Sequence, residues 1–304
     1  MIVTDPAEFL AAYSQERYPM RAASTARAAF LVAPASATLA AESATDNRYM
    51  DLAQTIDATR ASAQHAELAR RLATDLPVIS FPGSAECPDG MFPNNVFATA
   101  PGRFIVGRMR YAVRQREAER ADIRGFFRDT LGYRLVDFSR ETFVAELTGS
   151  LVIDRARGIG FCGLSERCDL AGARAMHEAF GLDLTFCFEL APGEYHTNVV
   201  MALLAGRMVL LAADGFRDPA VPQAIGRAYG DNVVWLSRQQ KNAFPANAIA
   251  LSPARAWMST RAADVLDPAQ RRAIERAGFA LASVELDEIE KAGGSLRCCV
   301  AEIF

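Results

Sequence analysis

The chain has 304 residues, 51% of them hydrophobic, which suffices for a large folded core in one or two domains and excludes a disordered chain. Its 33 Lys and Arg against 36 Asp and Glu leave a formal charge of −3 without any run of five or six like charges, so neither a nucleic-acid arm nor an acidic tail is present. Asp5 and Glu8 stand where a signal peptide needs a basic start and an apolar run, and the longest apolar stretch, Val199 to Ala213, is broken at Gly206-Arg207. The expectation is a soluble, cytoplasmic protein with no membrane and no nucleic-acid partner.

In chain order, residues 1 to 28 stand apart as an extension, either a short capping helix or a mobile tail. Phe30 to Val32 reads as a strand, about Met50 to Thr74 as a helix and Val78 to Phe81 as a strand. From there a pattern repeats. Val96 to Ala100 and Arg103 to Val106 flank Pro101-Gly102 as a hairpin, followed by a helix-like Ala112 to Thr130 and an apolar run, Tyr133 to Phe138. Leu151 to Asp154 and Gly160 to Cys162 flank Arg157-Gly158, followed by Asp169 to Phe180 and Leu184 to Phe188. Val199 to Leu204 and Met208 to Ala212 flank Gly206, followed by Val221 to Tyr229 and Val233 to Leu236. A fourth unit opens at Ala248-Ile249-Ala250 and continues through Pro268 to Ala277 and Phe279 to Val284.

Each unit reads ββαβ and opens on a small polar residue before an apolar run. The origins are Asn95, Ser150, Asn198, Asn247 and Ser295, separated by 55, 48, 49 and 48 residues. The fifth unit stops after a single strand, and its missing strand, helix and strand are those at the start of the chain. The fold expected is therefore α/β, a five-bladed α/β propeller of ββαβ units with pseudo-fivefold symmetry, residues 29–304 forming one domain. Pairing of Phe30 to Val32 with Leu296 to Ile303 would close the ring and remove an open sheet edge.

Units around an axis bring residues of equal phase together. Glu146 lies four before its origin, His196 two before and Cys298 three after, so an acid, an imidazole and a thiol share one end of three hairpins. Taken alone each reads as a structural or solvated side chain; the shared phase singles them out. Cys298 and Cys299 are neighbours, and on a strand only one of them could face the axis. Asn95, Asn198 and Asn247 occupy origins, where an asparagine also serves to turn the backbone. The six cysteines include no CxxC pair, so neither a disulfide framework nor a zinc site is expected, and His65 and His177 fall within helix-like segments as surface or core residues.

Five phrases carry a family resemblance: Pro88-Asp89-Gly90-Met91-Phe92-Pro93-Asn94-Asn95, Glu146-Leu147-Thr148-Gly149-Ser150, Gly163-Leu164-Ser165-Glu166-Arg167, Tyr195-His196-Thr197-Asn198 and Gly293-Gly294-Ser295-Leu296-Arg297-Cys298. Together they resemble the guanidino-group-modifying superfamily of arginine deiminases, dimethylarginine hydrolases, amidinotransferases and succinylarginine dihydrolase. The likeness is greatest to its citrulline-hydrolase branch and runs from about residue 30 to the end. It implies a pentein fold with Cys298 as nucleophile, His196 as general acid/base and Glu146 as the acid that orients the site. It implies Asp89 as a substrate-binding aspartate and Arg167, with Arg116 as a further candidate, as carboxylate-binding residues. It also implies that no metal or organic cofactor is needed, and it leaves room for a homodimer.

Asn95 and Asn198 stand where arginine deiminases place aspartates. An amide offers an acceptor and a donor but no charge, which suits a neutral ureido group better than a guanidinium. The substrate expected is a small amino acid, citrulline, split to ornithine, ammonia and carbon dioxide. A guanidinium deiminase or amidinotransferase on the same fold, and a non-catalytic propeller that only binds, are the other two readings.

Overall fold

The computed structural model describes residues 1–16, 18–35 and 38–304. Five small sheets account for its strands. In the first, Phe97–Ala100 runs antiparallel to Arg103–Val106, which pairs parallel with Arg134–Asp137. Leu151–Asp154, Ile159–Leu164 and Leu184–Glu189 repeat this order, as do Met201–Leu204, Met208–Ala212 and Val233–Leu236, and then Ile249–Ser252, Arg255–Ser259 and Ala280–Val284. A tight turn suffices for the antiparallel pair, whereas the parallel third strand needs a crossover, and the helical segment of each unit supplies it.

The fifth sheet joins the two ends of the chain. Ala301–Ile303 pairs antiparallel with Ala28–Val32, Ala301 opposite Phe30, and Ala28–Val32 pairs parallel with Val78–Phe81. The pairing expected of the incomplete last unit is present. Phe30 is fully buried here, its ring 5.6 Å from that of Phe81, 5.3 Å from Phe127 and 6.3 Å from Phe97, so the joint is packed as well as hydrogen-bonded.

The extension is the capping element of the two readings. Ile2–Val3 adds a fourth, parallel strand to the second sheet beside Leu184–Glu189, and the helix Pro6–Glu16 lies on the helix Ala220–Tyr229 of the third unit. Phe9, wholly buried, stacks on Phe186 at 4.7 Å and meets Phe161 edge-on, so the extension spans two units.

Three expectations need correction. The helix expected over Met50 to Thr74 spans Ala58–Leu72, because Asp57 caps it by accepting from the Arg60 amide, and the chain before it follows the surface of the site instead. The helix expected over Ala112 to Thr130 is four short pieces, broken where Arg120 adopts an extended backbone. The first strands expected from Val96, Val199 and Leu296 start later, at Phe97, Met201 and Ala301. A single helical turn precedes four of the first strands, Pro93–Asn95, Leu147–Ser150, Thr197–Val200 and Leu296–Cys299, and in the fourth unit a turn closed by Asn247 N–H on the Phe244 carbonyl does the same.

First strands of neighbouring sheets pack against one another, Ala301–Ile303 on Phe97–Ala100 and Met201–Leu204 on both Leu151–Asp154 and Ile249–Ser252. The turns that precede them are thereby gathered at one end, which positions the site. No helix among the described residues is long and apolar enough to cross a membrane.

Candidate active site

Cys298 sits in the turn Leu296–Cys299, 1% exposed, and its backbone N–H donates to the Ser295 carbonyl at 3.0 Å. Because the pair lies on a helical turn and not on a strand, Cys298 and Cys299 are both buried; they differ in surroundings. Both belong to one apolar cluster, but Cys298 also lines a small cavity, which Cys299 does not. Asn247 Nδ2 donates to the Cys298 thiol at 3.3 Å, and Asn198 Oδ1 lies 3.9 Å from it. Asn198 is fixed in turn by its own Nδ2 on the Thr148 carbonyl at 3.1 Å, and Asn247 Nδ2 also reaches the Asn198 carbonyl at 2.9 Å. The thiol is thus flanked by neutral amides from two other units.

Glu146 and His196, both fully buried, form the second group. His196 Nε2 lies 2.9 Å from Glu146 Oε2; the same carboxylate accepts from the Arg110 backbone N–H at 3.0 Å and faces Arg167 Nη1 at 3.3 Å. Leu147, next to Glu146, takes a positive φ of 24°, a costly value for a residue other than glycine and one that turns the chain just where the carboxylate must point inward. Burial by itself would raise Glu146, but Arg167 and the His196 bond hold it down at about 2, so it is ionised. Burial likewise pushes His196 below the usual imidazole range, against the pull of Glu146, and pushes the Cys298 thiol up, against the Asn247 hydrogen bond. Both shifts favour the uncharged forms of thiol and imidazole.

The cavity beside Cys298 holds only about 20 Å³, room for one water, and it is lined by Asp89, Asn95, Arg114 and Arg167 among others. Asp89 is buried and accepts from Ser43 Oγ at 2.5 Å; burial raises its pKa, with Arg114 and Ser43 opposing. Asn95 Oδ1 and His196 Nδ1 are buried without a hydrogen-bond partner. Both face Gly149: a β-carbon there would lie 2.6 Å from Asn95 Oδ1 and 2.9 Å from His196 Nδ1, so only glycine fits.

The structure therefore gathers Asp89, Asn95, Arg167 and Cys298 at one cavity, with Asn198 touching the thiol and the Glu146–His196 pair behind. It does not bring Arg116 to the site. That side chain is exposed, and Arg114 from the same segment lines the cavity, held bidentate by Glu117 at 2.8 Å; residues two apart on a helical turn point to opposite sides, so burying Arg114 leaves Arg116 outside. Arg167 is not free either. Asp46 clasps it at 2.6 to 3.0 Å and the Ser43 carbonyl accepts from its Nη2 at 2.9 Å.

Residues 41 to 50 were absent from the sequence reading of the site and cover it. Asn47 Nδ2 donates to the Gly293 carbonyl, Met50 bridges to Ala292, and Tyr49 donates to Glu194, itself paired with the buried Lys241 at 2.6 Å. No repeat phase marks this segment; a local excess of polar residues before Ala58 was the one available signal. Three buried thiols lie together although no CxxC motif links them: Cys162 and Cys168 sulfurs are 3.7 Å apart, and Cys187 is the strand partner of Cys162. Among the described residues no His, Cys, Asp or Glu group is arranged to hold a metal ion.

A buried thiol among amides, an ionised acid bonded to an imidazole and a small cavity lined by charged side chains thus lie together at one end of the sheets of an α/β fold, an arrangement capable of nucleophilic chemistry. The chain belongs to the family described as N,N dimethylarginine dimethylhydrolase, eukaryotic, whose profile matches residues 33–304, and thus to the guanidino-group-modifying pentein superfamily. It is accordingly a member of a group of hydrolases that act on non-peptide C–N bonds. Among solved structures, the N-terminal domain of ArgZ, an arginine dihydrolase from the ornithine-ammonia cycle in Cyanobacteria, is similar with a TM-score of 0.79 at 17% identity, over 91% of this chain and 97% of that one. A variant of dimethylarginine dimethylaminohydrolase, an adduct with S-methyl-L-thiocitrulline, is similar with a TM-score of 0.71 at 19% identity, over 91% and 99%. Among curated proteins none matches the chain.

Proposed function

We propose that the protein hydrolyses a free ureido amino acid, citrulline to ornithine, ammonia and carbon dioxide, with Cys298 as nucleophile in one domain, residues 29–304, closed as a five-bladed propeller. The observation that carries the substrate is the set of groups around the thiol. Asn95, Asn198 and Asn247 are neutral, and the Asn95 carbonyl oxygen is an unused buried acceptor suited to a ureido N–H. The charges lining the cavity are Asp89, Arg114 and Arg167, which match an α-ammonium and an α-carboxylate; a guanidinium would need a further acid, since Glu146 is already committed to His196 and Arg167.

In this reaction the Cys298 thiol passes its proton to His196 as its sulfur bonds to the ureido carbon, and His196, oriented by Glu146, gives that proton to the departing nitrogen, which leaves as ammonia when the C–N bond breaks. His196 then takes a proton from water as it attacks the S-linked carbonyl, the C–S bond breaks and the thiol is restored. One water is consumed at this step, and the carbamate left on the amine loses carbon dioxide. Arg114 holds the substrate carboxylate, Asp89 its amine. A cavity of about 20 Å³ cannot hold citrulline, so residues 41 to 50 must swing away for access, and the carboxylate then competes with Asp46 for Arg167.

The test is the ratio of kcat/KM for citrulline to that for arginine, read by ammonia and carbon dioxide release. Asn95→Asp with Asn198→Asp should lower the ratio by roughly ten- to hundred-fold for each productive contact, since a charge-assisted bond to a cation adds ~1.5 to 3 kcal/mol. A wild-type protein that favours arginine strongly would overturn the ureido assignment and leave a guanidinium hydrolase.

A further inference from the structure

A second cavity, of about 380 Å³, opens at the other end of the first strands. Asn95, Ser150 and Cys298 precede those strands; Pro101, Arg155 and Phe304, which line this cavity, follow them. Residues 21 to 27 line one side of it, tied down by Arg21 N–H on the Ala156 carbonyl at 2.7 Å and Arg27 N–H on the Ile303 carbonyl at 2.9 Å. Among its lining residues are one acid, Asp183, and four arginines, Arg21, Arg27, Arg155 and Arg157.

Their own partners do not use them up evenly. Arg157 is held by Asp154 at 2.9 Å, and Arg21 faces Asp183 at 3.6 Å with both side chains at least half exposed. Arg155 is different. Its Nη1 donates to the Thr99 carbonyl at 3.1 Å, and its guanidinium lies over two rings, 4.2 Å from Phe304 and 5.0 Å from Phe180. No ion pair holds it among the described residues, and the nearby Glu302 is bonded to Arg297 at 2.9 Å; Arg27 likewise has no ion pair there. Arg155 is partly exposed, and a guanidinium with reduced access to water and no carboxylate is incompletely compensated. Burial accordingly pulls Arg155 down to about 10, with Glu302 opposing only in part.

We propose that this cavity is a second ligand site, distinct from the thiol site, for a small carboxylate carried on a flat apolar body. The carboxylate would pair with Arg155 and Arg27, and the body would lie against Phe180 and Phe304 in a space at the lower end of the usual range for ligand pockets. Such a ligand bridges the extension to the second unit and so stabilises the folded chain. The inference is independent of the reaction proposed above, because none of these side chains lines the thiol cavity.

The probe is 4-fluorophenylacetate titrated into the full chain and followed by fluorine NMR. Saturable binding near ~1 mM is expected, weakened about tenfold by Arg155→Met and about tenfold for the neutral 4-fluorophenylacetamide, since the charged contact is worth about one decade. Arg27→Gln, a rim residue whose loss leaves packing intact, should weaken binding about threefold and serves if Arg155→Met does not fold. Arg114→Met should leave binding unchanged. The proposal fails if binding does not saturate by about 20 mM, if neither Arg155→Met nor Arg27→Gln alters it, or if Arg114→Met abolishes it, which would place the probe at the thiol.

Discussion

At the scale of single residues, the clearest constraint is Gly149. A methyl group there would press on the Asn95 carbonyl oxygen and the His196 ring, so Gly149→Ala must displace two groups of the site while leaving the surface unchanged. Overpacking of this kind costs ~1 to 3 kcal/mol in stability, but the larger effect expected is on turnover, about a hundred-fold fall in kcat/KM with the fold retained by circular dichroism. Cys298 and Cys299 separate in the same manner. Cys298→Ser should abolish turnover, whereas Cys299→Ser, which puts a hydroxyl into apolar surroundings, should cost ~1 to 3 kcal/mol of stability and leave most of the activity. Equal loss of activity in both folded variants would remove the basis for assigning Cys298.

His65 offers a pH test away from the site. It is 3% exposed with Nε2 unpartnered, and burial lowers its pKa to about 4, the Val32 backbone opposing only partly. A histidine held below its unfolded value takes up its proton more readily when unfolded, so its contribution is fully present above about pH 6.5 and lost as pH falls toward 4. At pH 5 the loss is about 2 kcal/mol. His65→Gln should therefore show a smaller fall in Tm between pH 7 and pH 5 than the wild type; an identical fall would mean that His65 is not buried neutral.

Among elements, the segment over residues 41 to 50 matters most, because it is joined to the site by side chains and not by a sheet. Ser43 reaches Asp89, Asp46 reaches Arg167, Asn47 and Met50 reach the loop at Gly293 and Ala292, and the described part of the segment has no strand of its own. Such a segment opens at less cost than the strands it covers. Met50 and Ala292 are antiparallel bridge partners, a separation that a disulfide can span. Met50→Cys with Ala292→Cys should be active when reduced, inactive when oxidised and active again after reductant. Full activity in the oxidised form would show that substrate enters by another route.

For the whole molecule, the joint between chain ends decides cooperativity. Ala28–Val32 lies between a strand from the far end of the chain and one from its own half, and Phe30 packs against the first unit. Amides of Ala28–Val32 and Ala301–Ile303 should then exchange with deuterium as slowly as those of Met208–Ala212, through global unfolding only. Early exchange confined to the joint would show that the terminal sheet opens separately.

The repeat at 95, 150, 198, 247 and 295 sufficed for the ββαβ unit, for the pairing of the two chain ends and for the shared end of Glu146, His196 and Cys298, because phase along a repeat survives folding as position. It could not place Arg114 over Arg116, or show that Asn247 touches the thiol, since each depends on the turn of a few residues of backbone. The cover over the cavity and the pairing of Asp46 with Arg167, residues 121 apart, follow no period at all. They arise from where residues 41 to 50 come to rest once the sheets are assembled, and only the tertiary structure decides that.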